Sequence, residues 1–327
     1  MSRIAIIGAG IGGLTLGQAL ASQHDVVVFE KGRGVGGRMA TRYADGFAFD
    51  HGAQYFTVRD PRFAALVQPL IASGAVAPWE GKIARIAGDG MMSTADPHDI
   101  HYVGMPNMNS LAKALAANVS VRTGVDVAPL GARQGEGWVL SDIDGVALGV
   151  FDWVISTTTP HQTVALFADH ARADGPLRRA TMLPCYALML GFGRAIERPW
   201  VLARVADSAI ELVALNSSKP GRDASKGTLV AHSTGAWAAA HLGDDPADIQ
   251  TALERAVAAA IWLDPATARF RTAHRWKSAR LRQDNSEPPF IDRARGLAAS
   301  GDWTTGSRVE NVVLSALDLA AAIGASK

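Results

Sequence analysis

The sequence has little cysteine, no excess of charge of either sign, and no histidine spacing typical of a metal site. Cys185 is the single cysteine among 327 residues, which excludes an intrachain disulfide, a CxxC redox pair and a cysteine-rich zinc site. The 32 basic and 31 acidic side chains nearly cancel, so neither nucleic acid nor an anionic membrane is an expected partner. The nine histidines show no HxxxH or HExxH spacing, and we predict no metal. These absences favour a small-molecule ligand, and the low cysteine usage favours the cytoplasm.

An uncharged stretch near the start, residues 4–21, has the hydrophobicity of a signal peptide or a membrane span. It contains five glycines, however, and is soon followed by a second apolar run at residues 25–30. A strand, a helix and a second strand explain both features, so we predict no targeting signal. With 48% apolar residues the chain can bury a large core, and its length predicts two lobes. The oligomeric state is left open.

The first motif is a dinucleotide-binding fingerprint. Residues 4–7 predict a buried parallel strand, a G-x-G-x-x-G turn follows, and a helix is predicted over about residues 12–23. The second strand ends at Glu30, whose carboxylate can accept hydrogen bonds from the adenosine ribose and disfavours a 2′-phosphate there. The helix N-terminus offers free N–H groups to the pyrophosphate. The turn residues that we expect to bind the cofactor are Gly8, Ala9, Gly10, Ile11, Gly12 and Gly13.

A second Gly-rich loop, residues 31–39, follows Glu30 directly and carries Arg38. This loop is unnecessary for an NAD dehydrogenase, but it suits a longer dinucleotide whose pyrophosphate is held from two sides, with Arg38 as the neutralising cation. No second G-x-G-x-x-G occurs, so we predict no separate nicotinamide-dinucleotide domain. The two loops together favour FAD.

The combination of GAGIGG, FEK and GVGGRM resembles the flavin amine-oxidase superfamily. Residues 49–56, 300–303 and 308–317 resemble further flavin-binding segments of that superfamily. The resemblance implies noncovalent FAD, Asp302 on the ribityl chain, and a C-terminal helix whose N-terminus points at the flavin N1–C2=O edge. The further cofactor contacts that it implies are Lys31, Gly52, Ala53, Gln54, Tyr55, Val127, Val309 and Asn311.

Within the superfamily the chain resembles the renalases, above all the bacterial ones, at residues 50–63, 216–223, 273–276 and 301–303. This resemblance implies an oxidase of 2- or 6-dihydro-NAD(P) isomers that passes hydride to flavin N5, reduces O2 to H2O2 and regenerates NAD(P)+. Aromatisation of the donor ring drives hydride loss, so no catalytic acid or base is predicted. Asn311 and Ala316 depart from the family pattern near the C-terminal helix.

Two other functions stay open. An amine oxidase or a carotenoid-type desaturase shares these motifs, but none of the four tyrosines lies near Gly301 and Asp302, where an aromatic cage would be expected. A noncatalytic flavin-binding protein is the second alternative. Which isomer is oxidised, and whether NAD or NADP is preferred, is left open.

The substrate-binding candidates are polar and aromatic residues of the second lobe, and a catalytic role for His51 is not favoured. The resemblance places the FAD-binding domain at residues 1–62, 103–165 and 292–327, and a mixed α+β substrate domain at 63–102 and 166–291. The predicted fold class is therefore α/β, a Rossmann-type FAD domain of the amine-oxidase and p-hydroxybenzoate-hydroxylase architecture. The substrate candidates are Tyr186, Asn216, His232, His274, Arg275 and Trp276.

Overall fold

Strands and helices alternate along the chain from its first residues. A computed structural model describes residues 1–133, 135, 137–170, 176–283 and 287–324, and every structural statement below concerns these residues. The strands, in chain order, are β1 (Arg3–Ile7), β2 (Asp25–Glu30), β3 (Thr41–Ala44), β4 (Phe47–Asp50), β5 (Val76–Pro78), β6 (Ile83–Ile86), β7 (Met92–Ala95), β8 (Tyr102–Gly104), β9 (Ser120–Thr123), β10 (Trp138–Ser141), β11 (Ala147–Phe151), β12 (Trp153–Ser156), β13 (Met182–Gly191), β14 (Leu202–Val205), β15 (Ile210–Leu215), β16 (Thr228–Ser233), β17 (Phe270–Leu281), β18 (Phe290–Asp292) and β19 (Leu297–Ala299).

The helices connect these strands and cover the two large sheets. The predicted first helix begins and ends within two residues of the observed one. No helix in the described part of the chain is both long and apolar enough to cross a membrane. The helices are α1 (Ile11–Ala21), α2 (Pro61–Ala72), α3 (Asn109–Ala116), α4 (Pro160–Phe167), α5 (Pro176–Arg179), α6 (Gly235–Ala240), α7 (Pro246–Ile261), α8 (Asp302–Thr305) and α9 (Val309–Gly324).

The first large sheet has six strands in the order β18-β19-β12-β1-β2-β9, and only β18 runs antiparallel. Its central strand β1 is buried on both faces because Ile4, Ala5 and Ile6 are all apolar. Helices α1 and α9 pack on this sheet. Strand β1 pairs with β2 on one side and with β12, which comes much later in the chain, on the other. The carboxyl ends of these parallel strands form the crevice where α/β sheets bind ligands.

The second large sheet has seven strands in the order β17-β13-β16-β15-β14-β6-β7. Neighbouring strands are antiparallel except for β6 and β14. One face packs on α7 through Ile249, Leu253 and Val257. The other face, with Ala187, Met189 and Val230, packs against Phe47 and Phe49 of the β3–β4 hairpin. Residues that alternate along a strand of this sheet therefore face two different environments.

The fold is the expected α/β architecture, with a Rossmann-type sheet and a second mixed sheet. The strands of the seven-stranded sheet all come from segments assigned to the substrate domain, while β18 crosses the expected boundary at residue 292. Phe63 and Val67 of helix α2 lie in an apolar cluster that contains residues of α1 and α9 and also Leu202 and Ala214 of the expected substrate domain. The domain boundaries themselves stay a prediction.

Candidate functional site

The turn between β1 and α1 is shaped by three glycines with different roles. Gly8 has φ +104°, a left-handed conformation that favours glycine. A Cβ on Gly13 would lie 2.0 Å from the Gly8 carbonyl oxygen, so a side chain there would drive the helix away from the strand. A Cβ on Gly10 would meet no atom within 4 Å. The fold therefore requires Gly8 and Gly13, whereas Gly10 opens onto free space at the crevice.

Glu30 joins the two glycine-rich loops. Its Oε2 accepts a hydrogen bond from the Ala9 N–H at 2.8 Å, and its Oε1 accepts one from the Gly32 N–H at 2.7 Å. The Gly36 N–H in turn donates to the Ala9 carbonyl at 2.9 Å. The carboxylate is half-buried and keeps lone pairs for further donors. It thus lies at the end of β2, where an adenosine ribose was expected, while Lys31 beside it is exposed.

Arg38 and Asp302, which come from opposite ends of the chain, form a bidentate ion pair. The guanidinium donates to Asp302 Oδ2 at 2.6 Å and to Oδ1 at 2.9 Å, and also to the Ala279 carbonyl of β17 at 3.1 Å. Asp302 is 2% exposed and accepts a further hydrogen bond from Ser307. The expected pyrophosphate cation and the expected ribityl carboxylate are therefore adjacent, and each is held in place by the other.

Backbone contacts fix the segment that contains Gly52, Ala53 and Gln54. The Ala53 N–H donates to the Arg38 carbonyl at 2.9 Å, and a Cβ on Gly52 would lie 1.9 Å from that same oxygen. Gln54 Nε2 donates to the Asp50 carbonyl at 2.5 Å and to that of Gly52 at 2.9 Å. The loop bearing Arg38 and this segment thus form one tightly packed unit.

Four further expected cofactor contacts lie around this unit. Tyr55 stacks on His101 with 3.6 Å between ring centroids and accepts a hydrogen bond from Arg204. Val127 is buried near the end of β2, where the Val125 N–H donates to the Glu30 carbonyl. The last two, Val309 and Asn311, lie in the first turn of α9, and Asn311 Nδ2 donates to the Thr305 carbonyl at 2.8 Å.

These features fit a dinucleotide cofactor. The open backbone at Gly10 and the N-terminus of α1 suit a pyrophosphate, and the carboxylate of Glu30 suits a ribose. Carboxylates and imidazoles do not gather in the way a metal requires, since no group of three or more potential ligands occurs within the described ranges. The polar groups of the crevice therefore suit an organic phosphate ligand.

Three of the six substrate candidates lie together on the face of the second sheet that is turned to His51. Pairing of β16, β13 and β17 places His232 and His274 on either side of Ala187. Trp276 stacks on His51 with 5.0 Å between centroids and donates from Nε1 to the His51 carbonyl at 3.0 Å. His274 meets the His51 ring edge-on at 4.9 Å. We call His51, His232, His274 and Trp276 the histidine–tryptophan cluster.

The histidines of this cluster are neutral at physiological pH. Burial lowers the pKa of His51 to about 4, and the neighbouring His274 and Arg42 add to this. Burial also lowers the pKa of His232 to about 4, although its hydrogen bond to the His51 carbonyl opposes the shift. For His274 the pKa is lowered by burial and then by Arg42. The cluster thus consists of uncharged, polarisable rings, and the positive charge of Arg42 acts on two of them, His51 and His274.

The other three substrate candidates lie elsewhere. Tyr186 and Arg275 pair with each other across β13 and β17 but point to the face that packs on α6 and α7. Tyr186 donates its hydroxyl to the His241 carbonyl at 3.1 Å, and Arg275 donates to that of Leu242 at 3.0 Å. Asn216 is 1% exposed and donates from Nδ2 to the Ala48 carbonyl at 3.0 Å. Strand alternation explains the split, because Arg275 lies between two residues that face the other way.

The sequence did not indicate some residues that the structure brings to the site. His51 was not favoured, yet its ring is the centre of the histidine–tryptophan cluster. Three buried charged residues, Asp50, Lys219 and Arg222, also form a cluster behind it. The only sequence signal for His51 and Asp50 was their place in the D-x-G-A-Q segment. Lys219 and Arg222 lie in the segment 216–223 that resembles the renalases, but no local pattern predicts their burial, which results from contacts between distant segments.

Comparisons with known proteins agree with this architecture. Residues 6–70 match the family described as NAD(P)-binding Rossmann-like domain. Over its whole length the chain has the α/β fold of the amine-oxidase architecture. It superposes on a candidate protoporphyrinogen oxidase from Exiguobacterium sp. 255-15 with a TM-score of 0.80 and 13% identity, covering 100% of this chain and 99% of the other. For cyclohexylamine oxidase from Brevibacterium oxydans IH-35A the TM-score is 0.75 and the sequence identity is 12%, with 99% of each chain covered. For wild-type putrescine oxidase bound to putrescine the values are 0.73 and 14%, again with 99% of each covered.

The desaturases among the curated relatives match this chain over a short segment. The 4,4'-diapophytoene desaturase (4,4'-diaponeurosporene-forming) of Staphylococcus aureus (strain Newman) is 53% identical over 51 residues. That match covers 15% of this chain and 10% of the desaturase. It is shared with the same enzyme from strain USA300. The curated relatives thus share a short segment with this chain and the solved structures share its fold, which leaves the reaction to the site itself.

Proposed function

We propose that this chain is an FAD-dependent oxidase, resembling the renalases, that takes hydride from 2- or 6-dihydro-NAD(P) isomers. The oxidised products are NAD(P)+ and, after reduction of O2, H2O2. The glycine turn, Glu30 and the Arg38–Asp302 pair would hold the cofactor, with the N-terminus of α9 beside it. The neighbours of known fold that are described as oxidases support the class of reaction.

The observation that carries the substrate class is the charge of the histidine–tryptophan cluster. The described members of this cluster are neutral rings, and none of them is a carboxylate that could pair with an ammonium substrate. Arg42 places a positive field on His51 and His274, which repels an ammonium group and attracts phosphates. A planar, uncharged ring attached to a phosphate chain is the ligand that this surface favours.

The residues of the site have positioning roles in this reaction. When bound, FAD would supply the hydride acceptor, and O2 would reoxidise the reduced cofactor. The cluster would stack the donor ring and exclude water, which aligns the reacting atoms without an acid or base. Noncovalent binding is supported by Cys185, since burial raises the pKa of its thiol to about 12 and leaves it a poor nucleophile. With that single buried cysteine, the cytoplasm is the compartment we propose.

Anaerobic mixing tests the proposal. The FAD-loaded protein is mixed in a stopped-flow instrument with 2-, 4- and 6-dihydro-NAD(P) separately, and with putrescine and cyclohexylamine, while flavin absorbance is followed. We expect rapid bleaching with the 2- or 6-isomers, slow bleaching with the 4-isomer and none with the amines. Admission of O2 should then restore the absorbance with one H2O2 formed for each donor oxidised.

Other outcomes would overturn the proposal in distinguishable ways. Bleaching by an amine alone would make the chain an amine oxidase, as its neighbours of known fold suggest by name. FAD uptake without bleaching by any donor would make it a flavin-binding protein. Purification without flavin, together with failure to bind added FAD, would refute the cofactor as well.

A further inference from the structure

A buried three-charge cluster lies directly behind the histidine–tryptophan cluster. The side chains of Asp50, Lys219 and Arg222 are 1%, 0% and 3% exposed. Lys219 Nζ lies 3.1 Å from Asp50 Oδ2, and Arg222 donates to the same oxygen at 2.5 Å. The other oxygen, Oδ1, accepts from Thr41 at 2.8 Å and from the Met108 N–H at 2.9 Å. Asp50 is therefore fully hydrogen-bonded.

Lys219 connects this cluster to the segment expected along the flavin. Its ammonium donates to Gln54 Oε1 at 3.1 Å and lies 5.3 Å from the centre of the Trp79 ring. Gln54 Nε2 lies 3.4 Å from His232 Nε2. A chain of contacts thus leads from Lys219 through Gln54 to the surface that we assign to the substrate. Lys219 also holds the orientation of the Gln54 amide, because only the oxygen of that amide can accept from an ammonium.

The cluster contains more positive than negative charge. One carboxylate faces two cations, so the sum is one positive charge while Lys219 is protonated. Burying a second cation beside an already satisfied carboxylate costs free energy because the ion loses its hydration. Burial lowers the pKa of Lys219 to about 8 despite the attraction of Asp50. An anion bound nearby would offset that cost.

The groups that face Lys219 are few. Burial alone would raise the pKa of Asp50, but Lys219 and Arg222 hold it well below its usual range, so this carboxylate stays ionised. Arg222 is the second cation beside this carboxylate. From β16, His232 feels the charge of Lys219, which helps to lower its pKa. Gln54 and Trp79 carry no charge. Among these groups Lys219 alone changes charge near neutral to mildly alkaline pH.

We propose that Lys219 is a positioning residue whose charge, held against Gln54, stabilises negative charge on the group bound beside residues 51–54. In the proposed function this group is the flavin, because accepting a hydride adds one negative charge to it. The inference rests on the proposed cofactor but not on the proposed donor. Lys219 would set how readily the flavin is reduced, whichever substrate supplies the electrons.

The test compares Lys219→Met, Lys219→Arg and a matched control, Lys226→Met. Lys226 belongs to the same loop, but it is 47% exposed and pairs with Asp223 instead. The midpoint potential of bound FAD is measured against reference dyes, which requires no physiological donor. In Lys219→Met we expect reduction to be about tenfold less favourable, which is about 30 mV for a two-electron couple. Lys219→Arg and Lys226→Met should stay close to wild type.

A pH series and a measurement without cofactor complete the test. The wild-type potential should fall more steeply with pH above about 8, where Lys219 loses its proton, and this extra slope should be absent in Lys219→Met and Lys219→Arg. In the apoprotein, the His232 pKa measured by NMR should rise in Lys219→Met and not in Lys226→Met. The pH series on the wild type still decides if Lys219→Met does not fold.

Unchanged potential in Lys219→Met, or a wild-type potential without a break near pH 8, would overturn the inference. If the protein binds no FAD, the proposed function fails, and the His232 pKa then decides whether the charge of Lys219 reaches the site. A His232 pKa that is unchanged in Lys219→Met would show that the charge of Lys219 does not act at the site.

Discussion

The two sides of the candidate site are built from different atoms. On the Rossmann side, the β1–α1 turn and the loop bearing Arg38 are shaped by backbone, and glycines allow approaches that no side chain permits. On the sheet side, the surface consists of side chains from β16 and β17 together with the ring of His51, and the strands that carry it pair antiparallel with β13. Where backbone atoms form the site, an added side-chain atom should disrupt binding. Where side chains form it, removal of their atoms should do so. Substitutions can therefore separate the two sides.

The largest effect should come from Gly13→Ala. Its Cβ would lie 2.0 Å from the Gly8 carbonyl oxygen, so strand and helix must separate, and we expect a loss of about 3 kcal/mol or more of unfolding free energy. Gly10→Val should leave the apoprotein as stable as wild type, because its Cβ meets no atom within 4 Å, but it should weaken FAD binding at least about tenfold.

Chemical denaturation of the apoproteins and FAD titration by fluorescence measure both variants. Gly131→Ala is the matched control, since it too has no atom near its Cβ but lies away from the turn. A Gly13→Ala protein as stable as wild type, or a Gly10→Val protein with wild-type affinity, would contradict the assignment of these two glycines.

A smaller effect is expected at the Arg38–Asp302 pair, which joins the Rossmann side to β17. Asp302→Ala removes the carboxylate partner of Arg38 and leaves it the Ala279 carbonyl. Because the Arg38 side chain is 33% exposed, we expect a loss of about 1–3 kcal/mol of unfolding free energy rather than the cost of a fully buried charge. Asp223→Ala removes an exposed partner of Lys226 and should leave the free energy of unfolding close to that of the wild type. A double-mutant cycle with Arg38→Met isolates the coupling, and a coupling near zero would contradict the pair's structural role.

The same contrast explains what could be predicted from the sequence. The Rossmann side was predictable because its constraints are local: Gly8, Gly10 and Gly13 act within one turn, and Glu30 ends the next strand. The pairing of Arg38 with Asp302 was not predicted, although both residues were, since nothing in the sequence shows that residues so far apart meet.

The sheet side was predicted only in part. Three candidates share a face with His51, but Tyr186 and Arg275 point the other way. Choosing between these faces requires the direction in which each strand's side chains point relative to its neighbours, and that depends on register. Lys219 lies in the segment 216–223 that resembles the renalases, but its burial could not be predicted, because a lysine in a loop is normally exposed.

The sheet faces themselves can be tested by substitution of adjacent residues. Trp276→Leu removes the ring that stacks on His51 and should slow flavin reduction by the dihydronicotinamide about 10- to 100-fold through loss of alignment. Arg275→Gln, one residue away on the opposite face, should change the rate less than about twofold. Single-turnover stopped-flow measures both rates, with FAD content as the control for folding. A larger effect of Arg275→Gln would place the substrate on the face of α6 and α7.

The last effect concerns pH and involves the buried imidazoles of the sheet side. Burial also lowers the pKa of His101, which lies outside that side. Because the folded pKa values of His51 and His232 are about 4, against about 6.5 in the unfolded chain, the unfolded state binds more protons between these values. Their contribution to stability is therefore complete above pH 6.5 and is lost as pH falls towards 4. Each should account for on the order of 1–3 kcal/mol of unfolding free energy.

Denaturation of the apoprotein from pH 7.5 to 4.5 measures this loss. His232→Gln should flatten the profile, whereas His161→Gln, at an exposed position, should leave it unchanged. If the unfolding free energy of His232→Gln depended on pH as steeply as that of the wild type, protonation of His232 would not be a cause of the loss.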